Sequence, residues 1–372
     1  MRIKKAYLLV LVVFLWNCSS DDAPRQEDIV SNVPDFVVLG EDLNSLYLYD
    51  YDASEEDATS VNLTLEDNLG IDLLTVNQIG EVVTFYSFAL GSFSALQRNV
   101  TTGEARVLPS FYTLEGNRSV IWGTNSENHF FVGYFSPIES GDYGMRSIDI
   151  ATGVTKDILL EEDVTNVYDP IYHNGKLFLT YRIAGVGYKI AVLDADTSEI
   201  LHRWEFSAEI PSIYIEAAGD IAIITRTDGN QYTNTIYDFD TYESREEMDF
   251  SVNRFFSPGP LKAFLINNKL YYLFFYAQPS AVTYSPAVFD FSADQNTILD
   301  MAGIVRELEN AKGVTISLTV FSYEPEEKSF LVGYTKDFNK GEFEGGIMVI
   351  SEAGELLRDI EIPFVPIFFF KS

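Results

Sequence analysis

Seven degenerate repeats of roughly 45 to 50 residues, each reading as four short strands, predict an all-β fold: a seven-bladed β-propeller of four-stranded antiparallel blades. Three observations carry this. A turn marker recurs along the chain, an apolar strand precedes each marker at a steady offset, and the last residues look like a strand missing from the first repeat.

The marker closes the third strand of each repeat. It falls at Asp50, Asn99, Asp149, Asp194, Asp238 and Asp290, with a degenerate seventh copy at Ile350, so successive markers stand 49, 50, 45, 44, 52 and 60 residues apart. An Asp or Asn side chain can accept from backbone N–H groups two residues on, which favours a tight turn. The apolar strands run Val82 to Phe88, Phe130 to Phe135, Leu177 to Tyr181, Ile221 to Thr225, Leu270 to Tyr276 and Phe330 to Tyr334. They are nearly unbroken hydrophobic runs, as expected of strands covered on both faces by neighbouring sheets. Such packing also gives the 28 Phe and 22 Tyr a place to go.

The clearest repeat runs from Tyr168 to Phe206, with an Asn174-Gly175 turn and an Asp194–Ser198 turn between its strands. The first repeat has room for only two strands before its marker, and Phe364 to Phe370 is left over at the far end. This tail is expected to fill the vacant inner position and close the ring, with Pro366 at a bend or an edge because it has no N–H to donate. One helix is expected, from Asp300 to Lys312, with Asp300 as its cap.

Residues 1–17 read as a targeting segment: Arg2, Lys4 and Lys5, then an apolar run from Leu8 to Trp16 too short to remain as a membrane span. Cys18 is the single cysteine, so no disulfide can form within the chain. Residues 18–34 read as an acidic flexible tether, and residues 35–372 as the propeller. The net charge of −31 makes nucleic acid an unsuitable partner.

Within each blade, the first-to-second and third-to-fourth connections share one face and the others share the opposite face. The longer connections are expected on the second face, at 136–145, 182–189, 227–233, 277–286 and 336–346. Arg182 and Arg226 each precede their marker by 12 residues, which places them at equal height on adjacent blades. With Arg118, Arg254 and Lys336 they could hold carboxylate, sulfate or catecholate oxygens. Each also has partners to choose from among 56 acids. Tyr143, Tyr232, Tyr284, Phe93 and Phe338 fall in the same connections, where they would stack on a ligand ring or anchor the loops.

Catalysis lacks a motif. His129, His173 and His202 share neither spacing nor face, and no nucleophile elbow, zinc helix or phosphate loop occurs. The Asp50-x-Asp52-x-Ser54 spacing lacks the glycine and glutamate of a calcium loop. No catalytic residue, metal site or cofactor is therefore assigned. A pair of carboxylates meeting at the mouth remains open.

Leu15-Trp16-Asn17-Cys18 resembles a bacterial lipobox, and Ser19-Ser20-Asp21-Asp22 resembles the acidic signal that exports lipoproteins of the Bacteroidota to the cell surface. With the seven WD40- or YVTN-like repeats, the chain resembles the seven-bladed propeller lipoproteins of that phylum. The resemblance implies lipidation at Cys18, an outer-membrane location exposed at the cell surface, and a role capturing a glycan or iron chelate beside a TonB-dependent transporter. A polysaccharide hydrolase or lyase, and a protein–protein scaffold, are the other two readings.

Overall fold

The computed structural model describes residues 33–370 apart from 90, 114–117, 137–142, 159, 207–208, 253–258 and 338–342. The leader, Cys18, the tether up to residue 32, Arg254 and Phe338 lie outside the described residues.

Seven antiparallel sheets follow one another along the chain. From the inner strand outward, blade four comprises Val164–Val167 continued by Ile171–His173, then Lys176–Ile183, Gly187–Asp194 and Ile200–Phe206. Blade one borrows its inner strand from the end of the chain: Val365–Phe370 pairs with Phe36–Glu41, with Phe369 opposite Val38. The register slips between Leu39 and Gly40, so that Gly40 faces Pro366 and Ile367 is passed over. That bulge, on an edge strand, is how the ladder tolerates proline.

Burial explains the apolar runs. Among the described residues the buried hydrophobic side chains fall into seven clusters, and each cluster joins two consecutive blades around the ring. Alternate residues of one strand serve opposite neighbours: Phe36 and Val38 pack toward blade seven, Val37 and Leu39 toward blade two. A strand with both faces buried has no polar face, so period-two alternation disappears. The helix Met301–Lys312 forms as expected. Asp300 accepts from the Gly303 N–H, and Met301, Val305 and Leu308 join the cluster between blades six and seven.

The marker turns share one geometry. Asp194 accepts from the N–H groups of Asp196 and Thr197, while Ser198 adopts a left-handed backbone with φ 58°. Asn99, Asp149, Asp238 and Asp290 repeat the pattern. In blade one the capping acid is Asp52 rather than Asp50, since Asp52 accepts from Ser54 and Glu55 and Asp50 sits within the ladder. In blade seven the corresponding residue is Ser351, opposite Ser329, rather than Ile350. The left-handed position is occupied by glycine in blades two and three but by exposed Asp294, φ 48°, in blade six. Asp294→Gly is expected to stabilise the domain by about 0.5–1 kcal/mol by removing that backbone penalty, read as a raised denaturation midpoint in urea.

Candidate functional site

Arg182 and Arg226 do occupy equivalent positions, opposite Tyr188 and Tyr232 in the second-to-third strand ladders of blades four and five. The connections there are tight hairpins, not long loops: Ile183 pairs with Gly187, and Asp228 with Gln231. Arg182 is exposed, its guanidinium 5.6 Å from the centre of the Tyr188 ring. Arg226 pairs with Glu209 at 3.1 Å. Arg118 lies 4.3 Å over the Tyr134 ring and 3.7 Å from Asp157. Lys336 is buried, bonded to Glu361 at 2.9 Å.

Tyr143 is partly exposed and stacks on Phe135 at 5.6 Å. Phe93, Tyr232 and Tyr284 are buried between blades rather than standing at the rim. Burial leaves the Tyr284 hydroxyl without a partner and pushes it well above the usual phenol range. Of the five expected loops, three do join strand ends several residues apart: Phe275 to Tyr284, Phe135 to Tyr143 and Thr335 to Gly345, with 137–142 and 338–342 outside the described residues.

The structure places a cavity of mixed polar and apolar lining among the inner strands, where Asn166 pairs with Arg182. The inner strand of blade four breaks at residues 168–170, where Pro170 cannot donate to a ladder. A short segment, Gly259–Pro260, runs parallel to the inner strand of blade five and brings Pro260 into the lining of a cavity. Between them lies a cavity of about 340 Å³ lined by Ile121, Trp122, Asn166, Val167, Tyr168, Asp169 and Pro260. Trp122 is held in place by an Nε1–H donated to the Val167 carbonyl at 3.3 Å.

Tyr168 links this cavity to the rim. Its hydroxyl is raised mainly by burial and by the neighbouring Tyr188, while Asn166 and the Arg182 charge act to lower it. Asp169 is reached by solvent yet hemmed in by inner strands, and this desolvation pushes its carboxyl up to about 6. A carboxyl, an amide, a phenol and a nearby guanidinium can together both donate to and accept from a polar ligand. Sequence reasoning selected Arg182 but passed over Asn166, Tyr168, Asp169 and Tyr188. The available signal was the polar Tyr168-Asp169-Pro170 break in a strand position that is otherwise apolar. Among the described residues no group of three or more His, Cys, Asp or Glu side chains is placed to share a metal ion.

No protein-family model and no curated protein sequence matches the chain. Solved structures do. The periplasmic gluconolactonase of Pseudomonas aeruginosa is similar with a TM-score of 0.54 and 11% identity, over 90% of this chain and 98% of that one. A putative 6-phosphogluconolactonase from Bacteroides uniformis is similar with a TM-score of 0.52 and 14% identity, over 90% and 99%. A prolyl endopeptidase structure matches with a TM-score of 0.49 and 11% identity, over 79% of this chain, which spans only 43% of that longer protein. At such identities the likeness concerns fold alone. The chain is a seven-bladed β-propeller resembling those of the lactonases.

Proposed function

We propose that the chain is a non-enzymatic ligand-binding propeller, tethered to the outer membrane through a lipidated Cys18 and exposed at the cell surface. It would capture a glycan or an iron chelate for a TonB-dependent transporter. The observation that carries the binding role is the cavity lined by Asn166, Tyr168 and Asp169, on and just after the inner strand whose Asn166 pairs with Arg182. The anchoring part rests on the lipobox-like Leu15–Cys18 and the acidic residues after it.

A thermal-shift screen of glycans and ferric chelates on the soluble domain from residue 24 tests this. A hit should raise the parent melting temperature. Arg182→Ala combined with Arg226→Ala should weaken that ligand about tenfold or more, the usual cost of a lost charge-assisted bond. Undiminished binding by the double variant would remove the cationic mouth from consideration.

The hydrolase reading draws on Asp169, whose carboxyl burial pushes up to about 6, nearer the range of a general acid than an ordinary aspartate. It needs a second carboxylate about 5 to 10 Å away. Asp169 is the one acid among the described residues that line the cavity, and this favours binding over hydrolysis.

A further inference from the structure

A second cleft lies away from the channel, where blade seven meets blade one at the seam of the ring. It measures about 370 Å³, and its polar lining consists of Tyr49, Tyr51, Glu56, Asp57, Arg358 and Asp359. Tyr51 is only 4% exposed, yet its buried hydroxyl has no hydrogen-bond partner. Nearly every buried hydroxyl in a folded protein finds a partner, so an orphan lining a cleft marks a place for one from outside. The Tyr49 and Tyr51 rings are fixed from behind by Phe36, which stacks on them at 6.5 and 5.0 Å.

The charges around the cleft define what it could take. Arg358 bonds Glu56 at 2.7 Å through one terminal nitrogen, which leaves further N–H groups on the same guanidinium to donate. Asp359 is occupied by Lys312 at 2.6 Å and by the Tyr334 hydroxyl at 2.7 Å. Asp57 accepts only from the neighbouring Ala58 N–H. An anion would meet Asp57 and a chain of net charge −31, and a metal cation would find only Asp57 not engaged by a basic side chain, with no group of three ligands among the described residues. A neutral ligand bearing hydroxyls meets neither obstacle. Its oxygens can accept from Tyr51 and Arg358, its hydroxyls can donate to Glu56 and Asp57, and the apolar face of a pyranose suits a tyrosine ring.

We propose that the seam cleft is a saccharide-binding site that takes one or two neutral sugar residues, held by the Tyr51 hydroxyl, Arg358, Glu56 and Asp57. It is separate from the channel cavity and does not rest on the function proposed for that cavity. Because it spans the junction of the first and last blades, an occupied cleft would also strengthen the closure.

Saturation-transfer NMR and calorimetry on the full chain, with maltose, cellobiose, lactose and chitobiose as probes, test the proposal. At least one disaccharide should bind the parent and raise its melting temperature. Tyr51→Phe should weaken that disaccharide about tenfold while leaving the unliganded melting temperature equal or higher, since an unsatisfied hydroxyl is removed. Arg358→Gln should weaken it as well, and Asp169→Asn in the channel should not. The proposal is overturned if none of the four disaccharides binds. It is equally overturned if Tyr51→Phe and Arg358→Gln bind as tightly as the parent, or if trialanine displaces the sugar and binds more strongly.

Discussion

A chain ending at Pro363 is expected to lose cooperative folding altogether. The missing tail contains Phe364, Val365, Phe369 and Phe370, all at most 7% exposed in the intact ring. Burying a side chain of this kind contributes about 1.5–3 kcal/mol, so four of them contribute on the order of 6–12 kcal/mol. That is as large as the whole stability of an ordinary domain. The loss also opens two clusters at once, because Phe369 belongs to the cluster between blades seven and one and Phe370 to the cluster between blades one and two. The Phe36–Glu41 ladder would become an exposed edge. A milder probe of the same seam is Gly40→Ala. A Cβ at position 40 would lie 2.0 Å from Cδ2 of Phe364, whose ring stacks on Tyr47 at 4.9 Å and has little room to retreat. Calorimetry of the parent should give a sharp transition and the truncated chain a broad one without a clear heat peak, while Gly40→Ala melts lower by an amount typical of overpacking, about 1–3 kcal/mol. A truncated chain that melts within a few degrees of the parent would show that the ring does not depend on its seam.

What the sequence made legible here was whatever repeats or caps. The acid of the marker turn is visible because an Asp or Asn side chain is needed to accept two backbone N–H groups, and five of the seven turns were placed at the right residue. Blade one misled because Asp50 and Asp52 both fit the pattern, and only the ladder distinguishes the strand residue from the turn residue. The C-terminal strand was legible because an unpaired run such as Phe368-Phe369-Phe370 needs somewhere to be buried. Two of the five loops were not. Polar strand ends such as Arg182-Ile183 and Thr227-Asp228 read as connections, whereas Gly187 and Gly229 allow the chain to turn within a few residues. Tyr232 lies within such a tight ladder, and Tyr284 opens its strand opposite Phe275, so both rings turn into the blade interface rather than the rim. The channel cavity escaped because it depends on the Gly259–Pro260 segment, a pairing of two residues that is too short to leave any periodicity.

The domain is also expected to be most stable near pH 5, and Glu216 is the residue expected to dominate the decline toward neutral pH. Glu216 follows the inner strand of blade five, and its Oε1 is buried without a hydrogen bond. Burial first, then the charges of Asp220 and Glu246, push its carboxyl up to about 7. In the unfolded chain the same group titrates near 4.5. Between these values the folded state holds a proton that the unfolded state has released, so stability falls as pH rises through the window. Asp169, at about 6, acts in the same direction. Glu361 acts in the opposite one: bonds from Lys312 and Lys336 hold its carboxyl down at about 2, so its contribution is present above pH 4.5 and is lost as the pH falls toward 2. Self-repulsion in a chain of net charge −31 also favours mild acid, so the parent profile cannot isolate one residue. Glu216→Gln can. The variant should gain about 1–2 kcal/mol at pH 8, where the parent carries a poorly solvated charge, and almost nothing at pH 5, where the parent is already protonated. Urea unfolding at the two pH values measures the difference directly. A Glu216→Gln profile parallel to that of the parent would assign the whole decline to general charge repulsion and leave Glu216 without a part in it.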